Sequence, residues 1–326
     1  GRAAGSDQHH RSMNARARPR LGLIRAGVAV LVSLVLVTAC GPWSAASPSG
    51  GAASASGGTT LAVVATTTVF ADIVKNVGGD RVSVTSIIPA GAGPEDYEPR
   101  PDDAKKLAGA NLIVSNGVGL DDFLDKLITA AGEGSASRLV LGDGIPPILI
   151  DGEPNPHFWL DPSLVADQYV PSIVASLSKL DPAGAATYQA NATAYAARVD
   201  AMDAANKTKI ETLPAANRKL VTFHDAFPYF ARHYGFELIG VILANVGQEP
   251  SASDLAALVQ KVKAAGVKAV FSEAQFSPEL AHTLAQEAGI TSVVTTLYSD
   301  TLGPPPADTY LKMMAWNVDQ IVSALK

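Results

Sequence analysis

The 326-residue chain has a single cysteine, Cys40, which excludes an internal disulfide. Aromatic residues make up only 6% while Ala and Gly are abundant, a balance that favours helices packed closely on sheets over a β-sandwich. No G-x-x-x-x-G-K-[ST] run is present, so nothing in the chain hydrolyses ATP through a phosphate-binding loop. The apolar run "AGVAVLVSLVLVTA" at 26–39 is too short to span a bilayer comfortably. Against these absences stand 47% hydrophobic and 17% charged residues, enough for one or two substantial cores, about two domains, and no wholesale disorder.

The amino end follows the layout of an export signal. Met13 precedes Arg16, Arg18, Arg20 and Arg25, then comes the apolar run, and Asp7 is the one acid before Cys40. Residues 1–12 have the character of a tag or upstream start. Cys40 directly follows "VTA", and "VTAC" resembles a bacterial lipobox, where cleavage leaves a lipid-modified cysteine. In "GPWSAASPSGGAASASGGTT", 41–60, 15 of 20 residues are Gly, Ser or Ala. Such a tract is expected to act as a tether with a reach of about 25 Å, leashing the protein to the outer face of the bacterial cytoplasmic membrane. Residues 1–40 hold 6 of the 25 basic and 1 of the 31 acidic residues, leaving 19 against 30, a net charge of −11. That balance disfavours nucleic acid and suits cations, although solubility in an exported protein accounts for it equally well.

From residue 61, short apolar runs alternate with helical segments. "LAVVAT" (61–66), "RVSVTSII" (81–88), "NLIVS" (111–115) and "RLVL" (138–141) read as strands buried on both faces, as in a parallel sheet. Helices are predicted over 69–79 and 101–110. A second set, "RKLVTF", "FELIGVIL", "VKAVFSE" and "TSVVTTLY", is interleaved with helices that each end at a Gly, two of them opening at a Ser. Between the sets, Tyr188, Tyr195, Val199, Met202, Ile210 and Leu213 form one apolar stripe on a predicted helix over 182–213, roughly 45 Å long. A closing helix is expected over 307–326, its Met and Trp residues in the core. The organisation is an α/β fold of two lobes, 61–175 and 217–326, each with a mainly parallel sheet flanked by helices, joined by one long backbone helix within 176–216. So stiff a link would limit hinge bending.

Four histidines follow the tether. His157 lies in "NPHFWLDP", where Asp161 and Pro162 mark a helix start, so the ring sits in the loop before it. His224 ends a strand at the sheet edge where α/β folds place ligands, and Asp225 after it reads as a helix cap. His233, near a helix end, is read as complementing the helix dipole, and His282 as an ordinary helix-face residue. Carboxylates occupy comparable loops: Glu95, Asp96 and Glu98 in "PAGAGPEDYEPRP", and Asp300 in "LYSDTLGPPP". Each alone is most simply a turn residue or cap. Together, two imidazoles and two carboxylates would form a closed four-coordinate N2O2 set for a divalent cation.

"PEDYEPRP" (94–101), "NPHFWLDP" (155–162), "TFHDAFPYFARHYG" (222–235), "GQEPSASDL" (247–255), "FSEAQFSP" (271–278) and "LYSDTLG" (297–303) recur in one order. In this the chain resembles the solute-binding lipoproteins of zinc/manganese ABC transporters. The resemblance implies two α/β lobes with one metal ion in the cleft, and it places the second, third and fourth ligands on His157, His224 and Asp300. The first is usually a histidine after the proline of a "PHxYxP" pattern. Here Glu95 stands at that place, which leaves Glu95, or Asp96 turned inward, to fill the position. The His-rich loop that many zinc-selective members insert is replaced by "GDGIPPILIDGEP", without histidine.

The resemblance implies capture of a divalent ion outside the cell and delivery to a membrane permease with a separate ATPase. The protein is expected to work as a monomer, lipid-anchored, without nucleic acid and without enzymatic turnover. A metallohydrolase using the same four residues is the rival. It would need an open coordination position and a base, for which Glu249 or Glu273 could serve; the resemblance instead sets these two around the ligands or at lobe contacts. A metal-binding surface adhesin is the third reading. Two carboxylates favour harder ions such as manganese, whereas the general affinity order puts zinc above it, so zinc is expected, with manganese next.

Overall fold

The computed structural model describes residues 60–95, 97–130, 136–244 and 246–326. The export signal, Cys40, the tether up to Thr59 and Asp96 lie outside the described residues.

The first sheet is parallel throughout, in the order β2-β1-β3-β4, from β1 (Leu61–Ala65), β2 (Val82–Ser86), β3 (Leu112–Ser115) and β4 (Ser137–Val140). The central strands β1 and β3 are buried at nearly every position, as runs without polar alternation require. On one face lies α1 (Thr68–Gly78), whose first turn is capped by the Thr67 hydroxyl accepting from the Phe70 N–H. Its Val69, Phe70, Ile73, Val74 and Val77 are removed from water, each stabilising the fold by roughly 1.5–3 kcal/mol relative to exposure. The helix stops where a Cβ on Gly78 would run into the Val82 side chain and Gly79 turns to positive φ.

The opposite face is covered by α2 (Pro101–Ala108) and α3 (Phe123–Ala130) through Leu107, Leu124 and Leu127. The helix α3 was not anticipated, since eight residues are too few to display a sustained helical period. A small antiparallel hairpin, β5 (Leu149–Ile150) and β6 (Glu153–Pro154), precedes the "NPHFWLDP" segment. Asp161 does cap the next helix, accepting from the Ser163 N–H at 3.1 Å. That helix runs as α4 (Pro162–Leu164), a π turn over Val165–Tyr169, and α5 (Val170–Leu180).

The linking helix α6 (Ala185–Glu211) has 27 residues, about 40 Å. It is shorter than its predicted span because Pro182–Gly184 forms a separate 3-10 turn. It packs against α1, α5 and the closing helix α10 (Tyr310–Leu325). The buried stripe runs through Tyr188, Ala192, Tyr195, Val199, Asn206 and Ile210. Met202 is only half-buried, and Asn206 takes the inner position by donating to the Met202 Sδ at 3.0 Å and the Tyr234 hydroxyl at 3.3 Å.

In the second lobe β7 (Lys219–Thr222) pairs in parallel with β8 (Glu237–Val241), and β9 (Ala269–Glu273) with β10 (Ser292–Leu297); β7 lies beside β9. The helices α7 (Pro228–Tyr234), α8 (Ala252–Ala265) and α9 (Glu279–Ala288) end, as expected, at left-handed glycines. Two expected caps are displaced: Phe227, not Asp225, precedes α7, and Pro278, not Ser277, precedes α9. In both cases the following Pro228 or the Pro278 ring already fixes a helical φ, and at α9 the Ser277 hydroxyl still accepts from the Glu279 N–H at 3.5 Å.

One apolar cluster runs from Leu61 to Leu325 through both lobes. The Trp159 indole donates to the Ser299 carbonyl at 2.7 Å, the Tyr310 hydroxyl to the Trp159 carbonyl at 2.8 Å, and the Leu302 N–H to the Thr68 hydroxyl at 2.8 Å. The lobes are therefore joined by shared core as well as by α6.

Candidate metal centre

His157 is held in place by its neighbours. Phe158, Trp159 and Leu160 form a 3-10 turn with all three side chains fully buried, which pins the backbone at His157. The Asn155 Oδ1 accepts from the His157 N–H and lies 3.1 Å from the ring Nδ1. That contact places the proton on Nδ1 and leaves the Nε2 lone pair directed into the cleft. The Asn155 amide in turn donates to the Asp225 carbonyl at 2.6 Å, tying this loop to the residue that follows His224.

His224 leaves the carboxyl end of β7. Its Nδ1 lies 3.0 Å from the Glu273 Oε1, off the ideal N–H···O direction, so the pairing is electrostatic more than a well-aligned hydrogen bond. Phe276 stands edge-on to the His224 ring at 5.1 Å and stacks on Phe223 at 4.7 Å, while Trp159 lies 5.2 Å from the His157 ring. Asp300 follows β10 and is fully buried. Glu95 comes from the loop after β2, with its side chain 24% exposed.

These four side chains converge. One ligand atom from each of Glu95, His157, His224 and Asp300 lies within 4.8 Å of the others. The His157 Nε2 is 3.3 Å from the Asp300 Oδ1 and 3.7 Å from the Glu95 Oε1; the His224 Nε2 is 3.5 Å from the Asp300 Oδ2 and 3.7 Å from the same Glu95 oxygen. Both Nε2 atoms and the Asp300 Oδ1 are buried without a hydrogen-bond partner. Buried polar atoms are almost always satisfied, so three convergent unpartnered atoms have the character of a cation site. A cavity of about 600 Å³ adjoins the cluster, lined in part by Glu95, Asn155, His157, His224 and Asp225.

The electrostatics demand positive charge at that point. Burial alone would depress both imidazoles, yet Asp300 and Glu95 outweigh it at His157, and Glu273 and Asp300 outweigh it at His224, whose pKa is raised to about 10. Burial would raise Asp300, but the adjoining His157 imidazole and the His224 charge hold it down at about 2. Glu273, fully buried beside His224, is raised by desolvation.

Glu249 is not part of this gathering. It sits in an exposed loop and lines a separate depression with Gln248, Pro250 and Asp254. His282 is exposed on α9, as expected. His233 does more than complement a helix dipole: its ring bridges Asp161 at 2.9 Å and Asp203 at 2.8 Å. Sequence reasoning passed over Asn155 and Gln275, although each stands two residues from one it had singled out, His157 and Glu273.

Residues 63–324 match the family model described as zinc-uptake complex component A, periplasmic. The chain belongs to this family. It is 30% identical to the metal ABC transporter substrate-binding lipoprotein SloC of Streptococcus mutans, over 80% of this chain and 89% of that protein. Identity to the manganese-binding lipoprotein MntA of Halalkalibacterium halodurans is 32%, covering 79% and 86%. The periplasmic zinc-binding protein TroA of Treponema pallidum superposes with a TM-score of 0.75 at 31% identity, covering 82% of this chain and 99% of that one. Membership makes the chain a solute-binding component of an ABC metal importer, working with a permease and an ATPase, and not an enzyme. The expected place outside the cytoplasmic membrane agrees with the lipoprotein names of these relatives. Among the described residues no helix is long and apolar enough to cross a membrane.

Proposed function

We propose that the protein captures one divalent transition-metal ion, zinc in preference to manganese, at Glu95, His157, His224 and Asp300 and presents it to its permease while held at the membrane through Cys40. The observation that carries the reading is the convergence of four ligand atoms, three of them on buried groups that otherwise lack partners. Two neutral imidazoles and two carboxylates match the charge of a divalent ion and close a four-coordinate set. Each imidazole is oriented from behind, His157 by Asn155 and His224 by Glu273, as metal-bound histidines usually are.

The test is competitive titration of metal-stripped protein with zinc and manganese. Tight one-to-one zinc binding that manganese does not displace supports the reading. Preferential manganese retention would reassign the ion, and tight binding of neither would reject the site.

A further inference from the structure

We propose that Gln275, together with Ser299, fixes Asp300 as a one-oxygen ligand and thereby biases the site against manganese; the inference rests on the metal-capture reading above. The two oxygens of this buried carboxylate are in different situations. The Oδ2 lies 3.5 Å from the His224 Nε2 but already accepts from the Gln275 Nε2 at 2.6 Å and from the Ser299 hydroxyl at 2.8 Å, whereas the Oδ1 has no partner and faces the His157 Nε2 at 3.3 Å. A carboxylate oxygen offers about two lone-pair directions, so two charge-assisted donors saturate the Oδ2 and leave only the Oδ1 for a cation.

The orientation of Gln275 is set by this contact. Its own Oε1 is buried without a partner, and turning the amide over would bring that acceptor against the carboxylate. Gln275 can reach Asp300 because the turn after β9 is stitched to the end of β10 by the Ala274 N–H, which donates to the Leu297 carbonyl at 2.9 Å. The same turn begins at Glu273, which backs His224, so one short segment positions two candidate ligands.

With Asp300 confined to the Oδ1 and each imidazole to its Nε2, these three residues supply three ligand atoms and Glu95 completes the set. Four-coordinate N/O geometry suits zinc, while manganese favours six-coordinate, oxygen-rich surroundings. Freeing the Oδ2 adds a ligand oxygen and removes part of the disadvantage of the larger coordination sphere.

The test uses Gln275→Met, which keeps side-chain length and removes the N–H donors, and Ser299→Ala, which removes the second donor. Zinc and manganese dissociation constants are measured by chelator competition, and the manganese-loaded proteins by X-ray absorption. In Gln275→Met the ratio of manganese to zinc dissociation constants should fall on the order of tenfold, within the usual range for partners behind a ligand. The manganese sphere should gain one oxygen, and Ser299→Ala should move both readouts the same way. An unchanged ratio, including equal weakening toward both ions, with an unchanged manganese sphere would overturn the proposal. If Gln275→Met does not fold, Ser299→Ala decides alone. Failure of the capture reading is distinguishable, because the unsubstituted protein would then bind neither ion tightly.

Discussion

Metal binding should be coupled to proton release well above neutral pH. In the ion-free protein the carboxylates around His224 overcome its burial and raise its pKa to about 10; His157 is raised for the same reason. At pH 7 the place of the cation is therefore held by a proton on His224. An ion can use the His224 Nε2 only if that ring is neutral, so at least one proton leaves per ion, and His157 contributes up to a second. The sign follows: lower pH favours the protonated competitor, and affinity climbs with pH until the imidazoles have titrated. One proton is worth a factor of ten, about 1.4 kcal/mol, per pH unit, so moving from pH 8 to pH 6 should weaken zinc binding by at least about 100-fold. Imidazoles at their ordinary pKa near 6.5 would instead give a plateau above about pH 7.5. Chelator-competition titrations from pH 6 to pH 9, with calorimetry in two buffers of different ionisation heat, measure the slope and the proton count. A dissociation constant that stays flat between pH 7.5 and 9, without buffer dependence, would refute the reasoning.

His157→Ala and His224→Ala should each abolish tight zinc binding, whereas His233→Ala should bind one ion normally but melt at lower temperature; comparable binding losses in all three would sink the ligand assignment. Glu95→His should shift selectivity further toward zinc in the same titration, and an unchanged selectivity would remove Glu95 from the ligand set. Stability should also depend on His233, whose pKa is raised to about 9 because Asp161 and Asp203 outweigh its burial. That contribution, up to about 3 kcal/mol, is complete below pH 6.5 and lost as pH rises through 9. Asp203, held at about 2, is the same pairing seen from the carboxylate side and fails as pH falls below its ordinary value; the two are not additive. Melting curves of the unsubstituted protein and His233→Ala should converge above about pH 9, and a constant difference from pH 6 to 10 would count against the ion pair.

The strands were legible because their runs are apolar on both faces, a pattern only a covered parallel sheet tolerates, and β1 to β4 and β7 to β10 lie within a residue or two of the expected ends. The helix ends at Gly235, Gly266 and Gly289 were legible for an equally local reason, the left-handed backbone that glycine adopts at little cost. What failed was whatever depends on distant neighbours. Asn206 occupies the inner stripe of α6 because Tyr234, from another helix, gives it a partner, and nothing in the spacing announces that. Glu249 and Glu273 were equal candidates for a base or for a place around the ligands, yet one ends exposed beside Asp254 and the other fully buried against His224. Gln275 carries no charge and no metal-binding motif, and its role emerges only once β9 and β10 are adjacent.

The "NPHFWLDP" segment feeds two buried clusters of imidazole and carboxylate, and comparing them shows what separates a ligand from a structural ion pair. His233 lies between Asp161 and Asp203 with each ring nitrogen within 2.9 Å of a carboxylate oxygen, so one proton between two anions completes the cluster. His157 and His224 are more deeply buried, yet the His157 Nε2 lies 3.3 Å from the Asp300 Oδ1 and the His224 Nε2 3.5 Å from the Oδ2, with no hydrogen bond made by either ring nitrogen. Residue type and raised imidazole pKa are shared by the two clusters and cannot tell them apart. Satisfaction can: in the first cluster a proton pairs both ring nitrogens with carboxylates, whereas in the second the Nε2 atoms and the Oδ1 converge unpaired on one point that a divalent ion at roughly 2.0–2.2 Å from each would satisfy once the imidazole protons leave. A metal titration that left the His233 resonances unmoved while broadening or shifting those of His157 and His224 would express that difference directly, and equal perturbation of all three would erase it.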